Sequence, residues 1–395
     1  MSPKNKDPGL AWLIAVMTLC RLVLNTARRF AYPFAPVLSR GLGVPLTAVT
    51  SLIAVNQAAG LLGFVFGPLA DRRGYRLMMM AGLGLLAAGL LTGGCLPFYP
   101  VILGALFVAG LGKNMFDPAL QAYIGRRVPY ARRGLAIGML EISWAASTLV
   151  GIPLIGLLMD RLGWRASFFA LGGGGLIGLL ALRLVIPRNN RPADREDQSA
   201  GFGEAWRLLV REKTALATLG YTFLVAAAND NLFVVYGAWL EKSFHLSVIA
   251  LGLGTSVIGI AELLGESLTA GLADRFGLKR SVLTGLALTV VAYGLLPLMG
   301  RNLGLALTGL FLVFMAFEFM IVSSLSLSTE LVPGARATMM SFFLAFASLG
   351  RIFGALIGGP IWLAGGIAAT GLVSVLLSGL ALAVLAWGLR GWRRS

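Results

Sequence analysis

The chain has 395 residues, of which 57% are hydrophobic and 13% charged, and its mean hydropathy is +0.82. This is far more apolar than a water-soluble domain requires, which argues against a soluble enzyme or a nucleic-acid-binding module. The formal charge of +16 does not reverse that reading, because most Lys and Arg residues stand in short breaks between apolar runs.

A run of about 20 apolar residues crosses a bilayer core as a helix, since all its backbone polar groups are then satisfied within the segment. In chain order, such runs predict spans over Leu10–Pro33, Thr47–Phe66, Leu77–Leu96, Val101–Tyr123, Ala136–Gly156 and Phe168–Ile186. After the polar stretch Pro187–Lys213 come Ala215–Leu240, Val248–Ala270, Ser281–Met299, Leu303–Leu327, Thr338–Pro360 and Ile367–Trp387. The expected protein is an all-α polytopic membrane protein with twelve transmembrane helices in two pseudo-symmetric six-helix bundles. Its parts are an N-terminal bundle over 1–186, a cytoplasmic linker over 187–213 and a C-terminal bundle over 214–395.

Alternate breaks carry Arg72, Arg73 and Arg76; Arg126, Arg127, Arg132 and Arg133; Arg188, Arg191 and Arg195; and Arg275, Lys279 and Arg280. Lys4 and Lys6 precede the first span, and Arg390, Arg393 and Arg394 follow the last. The positive-inside bias therefore predicts both termini in the cytoplasm of a cell whose plasma (inner) membrane holds the protein. Met17, Thr18 and Leu19, before Cys20, lack the small residue of a signal cleavage site, so the first span is expected to be retained. Cys20 and Cys95 both fall within spans, and no disulfide, metal or cofactor site is expected.

An internal repeat stands out. GPLADRRGYR (Gly67 to Arg76) follows the second span and GLADRFGLKR (Gly271 to Arg280) the eighth, with Asp71 and Asp274 offset by 203 residues. Nearly the same offset relates Asn25 to Asn229, Tyr32 to Tyr236, and Val128-Pro129 to Val332-Pro333. Parallel six-helix repeats about an axis along the membrane normal are implied. With Gly67, Leu69, Ala70, Asp71, Arg72, Gly74 and Arg76, and the copy Leu272, Ala273, Asp274, Arg275, Gly277 and Lys279, the chain resembles the major facilitator superfamily over its full length. Gly151 to Phe169 is similar to the fifth and sixth helices of its drug:proton antiporter and sugar-efflux branches.

The resemblance implies a transporter rather than an enzyme, a monomer in the lipid bilayer moving a small molecule and protons, with no cofactor and no nucleic-acid partner. The motif residues Gly67, Asp71, Arg72, Gly74, Arg76, Asp274, Arg275 and Gly277 are then a gating latch, in which glycines turn the helix end and charges engage neighbouring helix termini. Two departures from the antiporter pattern are visible. Phe107 stands where a fourth-helix Arg is usual, and Ile152 separates Gly151 from Pro153.

Ionisable residues inside spans are costly and mark sites, relays or ion pairs. Candidate solute-binding residues are Arg21, Asn25, Arg28, Tyr32, Lys113, Asn114, Trp144, Asn229, Tyr236 and Arg351; candidate proton carriers are Asp230, then Glu318 and Glu262. Against these stand plainer readings: a Lys113–Asp117 pair, Arg28 and Arg29 reaching the outer interface, Arg351 neutralising Glu262 or Glu266, Trp239 as an interfacial anchor and His245 as a surface residue. Arg21 or Arg28 is the expected counter-charge to Asp230, with Asn229 and Asn231 hydrogen-bonding its carboxyl.

No nucleotide-binding loop is present, so energy must come from a gradient. Proton-coupled export of a small amphipathic organic solute by alternating access, driven by exchange, leads. The alternatives are a lipid or lipid-precursor translocator on the same fold, or organic-anion uptake. A membrane enzyme is disfavoured because no nucleophile constellation or metal cluster is visible.

Overall fold

The computed structural model describes residues 8–128, 139–186, 209–332 and 336–392. The linker residues 187–208, Pro129, Arg132, Arg133, Pro333, both chain ends and the side chains of Asp71 and Asp274 fall outside that description.

All elements are helical among the described residues. α1 (Pro8–Arg29) and the short α2 (Ala35–Leu42) flank a turn, and α3 (Leu46–Ala58) passes through the 3-10 turn Ala59–Leu62 into α4 (Gly63–Arg73). There follow α5 (Tyr75–Cys95), α6 (Tyr99–Arg127), α7 (Met139–Leu162) and α8 (Ala166–Val185). Beyond the linker lie α9 (Lys213–Phe233), α10 (Tyr236–Phe244), α11 (Val248–Phe276), α12 (Leu278–Met299), α13 (Leu303–Leu331) and α14 (Arg336–Gly388).

Nine helices among the described residues are long and apolar enough to cross a membrane, ten if the bent pair α2–α3 counts as one. The 53 residues of α14 would reach about 80 Å if straight, well beyond one bilayer. The segment is broken at Gly365 and Gly366, the latter at φ 59°, so it is two helices joined at a kink. Leu176, Ile177, Leu180 and Leu184 on α8 and Leu372, Leu376 and Leu380 on α14 are exposed, while Arg21, Asn25, Arg29, Lys113, Asp230 and Glu262 are buried. Apolar outside and polar at the centre is the arrangement a hydrocarbon solvent selects.

The repeat has a structural counterpart at both motif copies. Neither copy forms a loop: α4 continues through Asp71 to Arg73 and α11 to Phe276, and the chain turns on one residue each time, Gly74 at φ 93° and Gly277 at φ 80°. Only glycine adopts that backbone without strain. Just past each turn a basic side chain donates to a carbonyl near the end of another helix, Arg76 to Arg183 O at 2.9 Å and Lys279 to Leu389 O at 2.6 Å. Cations there satisfy orphan carbonyls and meet the negative end of the helix dipole. Arg72 and Arg275 are exposed.

A second repeated feature closes the opposite end. α1 breaks at residues 30–34 and α9 at 234–235, and the two breaks abut: a side chain on Gly237 would run into the Pro33 backbone. α2 packs on α10, α3 on α14 and α7 on α11. The α7–α11 seam runs beside a π-helical turn at Ser147–Gly151, with Gly259 against Thr148 and Leu149 and Gly252 against Ile152 and Pro153. A π turn holds one residue more than α-helical spacing, and it ends next to Ile152, the residue that interrupts the Gly-Pro pair.

Candidate solute cavity and its closed end

A cavity of about 490 Å³ lies between α1, the Ala59–Leu62 turn, α6, α7 and α14. A smaller space of about 30 Å³, lined by Tyr32, Gln57, Asp230 and Phe233 among others, shares Arg28, Trp144 and Arg351 with the cavity and forms its inner end. Arg21, Arg28, Lys113 and Arg351 line the cavity, with Asp117 the carboxylate on its wall. Trp144, Leu61 and Leu344 add apolar surface.

The spacing of four, three and one along α1 is what lets one helix serve two neighbours. Arg21 meets Glu141 at 2.8 Å and Asp117 at 3.4 Å. Asn25 accepts from Lys113 Nζ at 2.6 Å and donates to Ser143 Oγ at 3.2 Å, so a neutral amide orients the lysine. Lys113 also pairs with Asp117 at 2.6 Å, four residues along the same helix face. Arg28 donates to the Gln57 side-chain carbonyl, and its Nε is buried without a partner.

Arg29, the next residue, has a different fate. It is 4% exposed, makes a bidentate bond to Glu262 at 2.5 and 3.0 Å, and lies 4.5 Å from the centre of the Trp144 ring. Thr148 adds a long hydrogen bond to Glu262 at 3.4 Å. An Arg–carboxylate fork reaching from α1 to α11 fixes direction as well as distance, and burial shields it from water and salt.

At the inner end Asp230 accepts from Tyr32 Oη at 2.8 Å, and Gln57 donates to the same hydroxyl at 2.6 Å. Tyr32 stacks on Phe233 at 4.2 Å. The nearest cation to Asp230 is Arg351, with Nε at 4.0 Å. Asn114 lines the cavity and returns a hydrogen bond to Gly110 O.

Several sequence expectations need correcting. Arg29 reaches the buried Glu262 instead of the outer interface, and Arg28 reaches the cavity. Arg351 faces Asp230, not Glu262 or Glu266, which removes Arg21 from the role of Asp230 counter-charge. Asn229 accepts from Tyr293 at 3.5 Å, and Asn231 binds Thr370 O and Ser374 on α14, so neither hydrogen-bonds the Asp230 carboxyl. Tyr236 is fully buried, pairs with Thr255 at 2.9 Å and lines neither the cavity nor its inner end. Trp239 is buried, which is no place for an interfacial anchor, while His245 is exposed at the end of α10. Glu318 lies beside Gly265 of α11, within electrostatic reach of Glu262, Arg29 and Arg351 but not among the residues lining the cavity.

Sequence reasoning left Gln57 unnoticed, although it joins Arg28 to Tyr32. The signal was there: Asn56 and Gln57 are adjacent amides inside an otherwise apolar run, and Asn56 spends its donor on Leu106 O.

The match to known proteins is broad. The model of the Major Facilitator Superfamily matches residues 17–229 and 218–394. The chain belongs to that superfamily. Among its relatives, the MFS-type transporter YceJ of Bacillus subtilis is 28% identical over 344 residues, covering 86% of each chain. The multi-drug resistance efflux pump PmrA homolog of Lactococcus lactis is 25% identical over 341 residues, covering 83% of each. A bacterial homolog of the human lysosomal transporter Spinster, solved inward-facing and unoccupied, superposes with a TM-score of 0.83 at 16% identity, covering 99% of this chain and 100% of that one. This member of the superfamily is therefore an integral membrane transporter of small molecules with the major facilitator fold, not an enzyme.

Proposed function

We propose that the protein exports a small amphipathic organic solute by alternating access, coupled to protons through Asp230. In this reading, twelve spans form two six-helix bundles, 1–186 and 214–395, joined by the cytoplasmic linker 187–213. The protein works as a monomer in the plasma (inner) membrane with both termini cytoplasmic. The supporting observation is the cavity of about 490 Å³, which combines charged groups with Trp144, Leu61 and Leu344 and shares Arg351 with the small space where Tyr32 and Asp230 meet. A carboxylate placed between a solute path and a movable arginine changes its affinity for a proton when that contact forms or breaks. Export accords with the efflux activity named for the Lactococcus relative.

The test is flux in proteoliposomes. Asp230→Asn is expected to abolish flux driven by a pH gradient while solute binding and counterflow exchange persist; intact gradient-driven accumulation in that variant removes Asp230 as the obligatory carrier. Tags at Ser2 and Ser395 are expected to stay protected from external protease in intact cells, and cleavage of either would reverse the topology.

A further inference from the structure

Positive charge collects in the cavity without matching negative charge. Four cationic side chains line it, and the carboxylates that reach them are Asp117, Glu141 and Asp230. Arg21 and Lys113 share Asp117 and Glu141 at close range, with bonds of 2.6 and 2.8 Å. Arg28 has no carboxylate within ion-pair distance among the described residues; its single hydrogen bond goes to the neutral amide of Gln57 and its Nε has none. Arg351 makes no hydrogen bond to a described residue and stands 4.0 Å from Asp230. Two guanidiniums, with ten N–H donors between them, thus line one cavity with a single hydrogen bond filled.

An uncompensated guanidinium inside a membrane protein is expensive, and a planar oxyanion is the ligand its fork fits best. We infer that the transported solute carries an anionic group received by Arg28 and Arg351, its apolar part lying against Trp144, and that its binding is linked to protonation of Asp230. The inference rests on the reading of this cavity as the solute site. The charged and titratable groups facing Asp230 are Tyr32, Arg28 and Arg29 from α1, Arg351 from α14, Glu262 from α11 and Tyr293 from α12, and Glu318 of α13 is within electrostatic reach of Arg351 and Arg29. Arg29 is held by Glu262, Arg28 is turned to Gln57 with no ion pair to Asp230, and both tyrosines donate hydrogen bonds, which leaves Arg351, 4.0 Å away, as the cation Asp230 and the solute compete for. When the anion takes Arg351, Asp230 loses its counter-charge and a proton replaces it; when Asp230 is protonated, Arg351 is free for the anion. Each favours the other by linkage, so anion and proton cross together. This cotransport takes the place of the exchange expected from the sequence, and export then runs down the solute's own outward gradient.

Purified full-length protein in detergent tests this with four naphthalene probes that share one ring system: 2-naphthalenesulfonate, 2-naphthoate, 2-naphthylmethylamine and 2-naphthylmethanol. Thermal stabilisation is expected from the two anions and not from the amine or alcohol, and inorganic sulfate at the same concentration should fall well short of them. Arg28→Gln and Arg351→Gln should each weaken sulfonate binding about tenfold or more, the loss expected for a hydrogen bond to a charged partner, and Arg40→Gln at the outer surface should not. The sulfonate stays ionised at every working pH, so a change of its affinity with pH belongs to the protein, and that affinity should rise as pH falls. Asp230→Asn should abolish that rise and fix affinity at the acid value. Equal or better stabilisation by the amine, no stabilisation by either anion, or sulfonate binding indifferent to both arginines overturns the anion assignment. Affinity that falls with acid overturns the cotransport linkage. Trp144→Ala separates the two levels: if probes of every charge weaken there while both arginines are silent, the cavity stands as solute site and the anion fails. If anion binding ignores Trp144, Arg28 and Arg351 alike, the cavity reading fails.

Discussion

Arg28 and Arg29 are neighbours in the chain and opposites in the structure. Arg29 points into the closed part of the path, where Glu262 on the other half of the molecule grips it with two bonds and Trp144 covers it. Arg28 points into the cavity and, among the described residues, hydrogen-bonds only the neutral amide of Gln57. The closed region pairs its arginines: Arg29 with Glu262 at depth, Arg40 with Glu241 further out. The open region leaves Arg28 without a carboxylate partner among the described residues. Paired charge goes with closure because a path sealed from water must satisfy its ions internally, whereas a path that receives a solute can leave a charge for the solute to satisfy.

The contrast can be broken most severely at Glu262. Glu262→Gln leaves a buried arginine uncompensated, and removing one partner of such a pair costs about 3–5 kcal/mol. A large drop in thermal stability is expected, together with labelling of cysteines introduced beside Pro33 and Gly237 from the normally closed side. The Arg29→Gln, Glu262→Gln double variant should recover most of the stability. A single variant as stable as the parent would mean that the fork does not hold the closure.

Next in size is the one-residue turn. Gly74→Ala places a Cβ at φ 93°, with an expected cost of about 1–2 kcal/mol, and Gly277→Ala at φ 80° should cost the same if the repeats are mechanically equivalent. Measured unfolding midpoints that differ between the two would show that only one copy bears load. The smallest effect is expected at Arg40, whose side chain is 60% exposed: Arg40→Ala should change stability by about 1 kcal/mol or less, and salt should erase the difference.

Much of the site was legible because each ionisable residue inside an apolar run carries a cost that function or pairing must repay, and that cost is visible in one dimension. The Lys113–Asp117 pair could be read from its spacing of four on a helix, a local geometry fixed by the helical repeat. The partners of Arg29, Arg351 and Asp230 could not. Arg29 and Glu262 are 233 positions apart in the chain. Which of several carboxylates an arginine meets is set by the rotation of each helix about its axis, and that rotation is decided by packing.

The sequence by itself determined that the protein lives in a membrane, that its spans are helices, that it repeats after 203 residues and that Gly74 and Gly277 mark turns. These follow from hydropathy, from the need to satisfy every backbone group in hydrocarbon and from the conformational freedom of glycine, all of them local. Only the tertiary structure decided that the motif is a continuous helix with a single-residue turn, that Asn231 and Tyr236 belong to helix packing, and that Gln57 joins Arg28 to Tyr32. It alone decided that one of two adjacent arginines is paired and the other is not. A helical step of 100° separates neighbouring side chains, so residues 28 and 29 face different neighbours, and what each meets depends on helices far away in the chain.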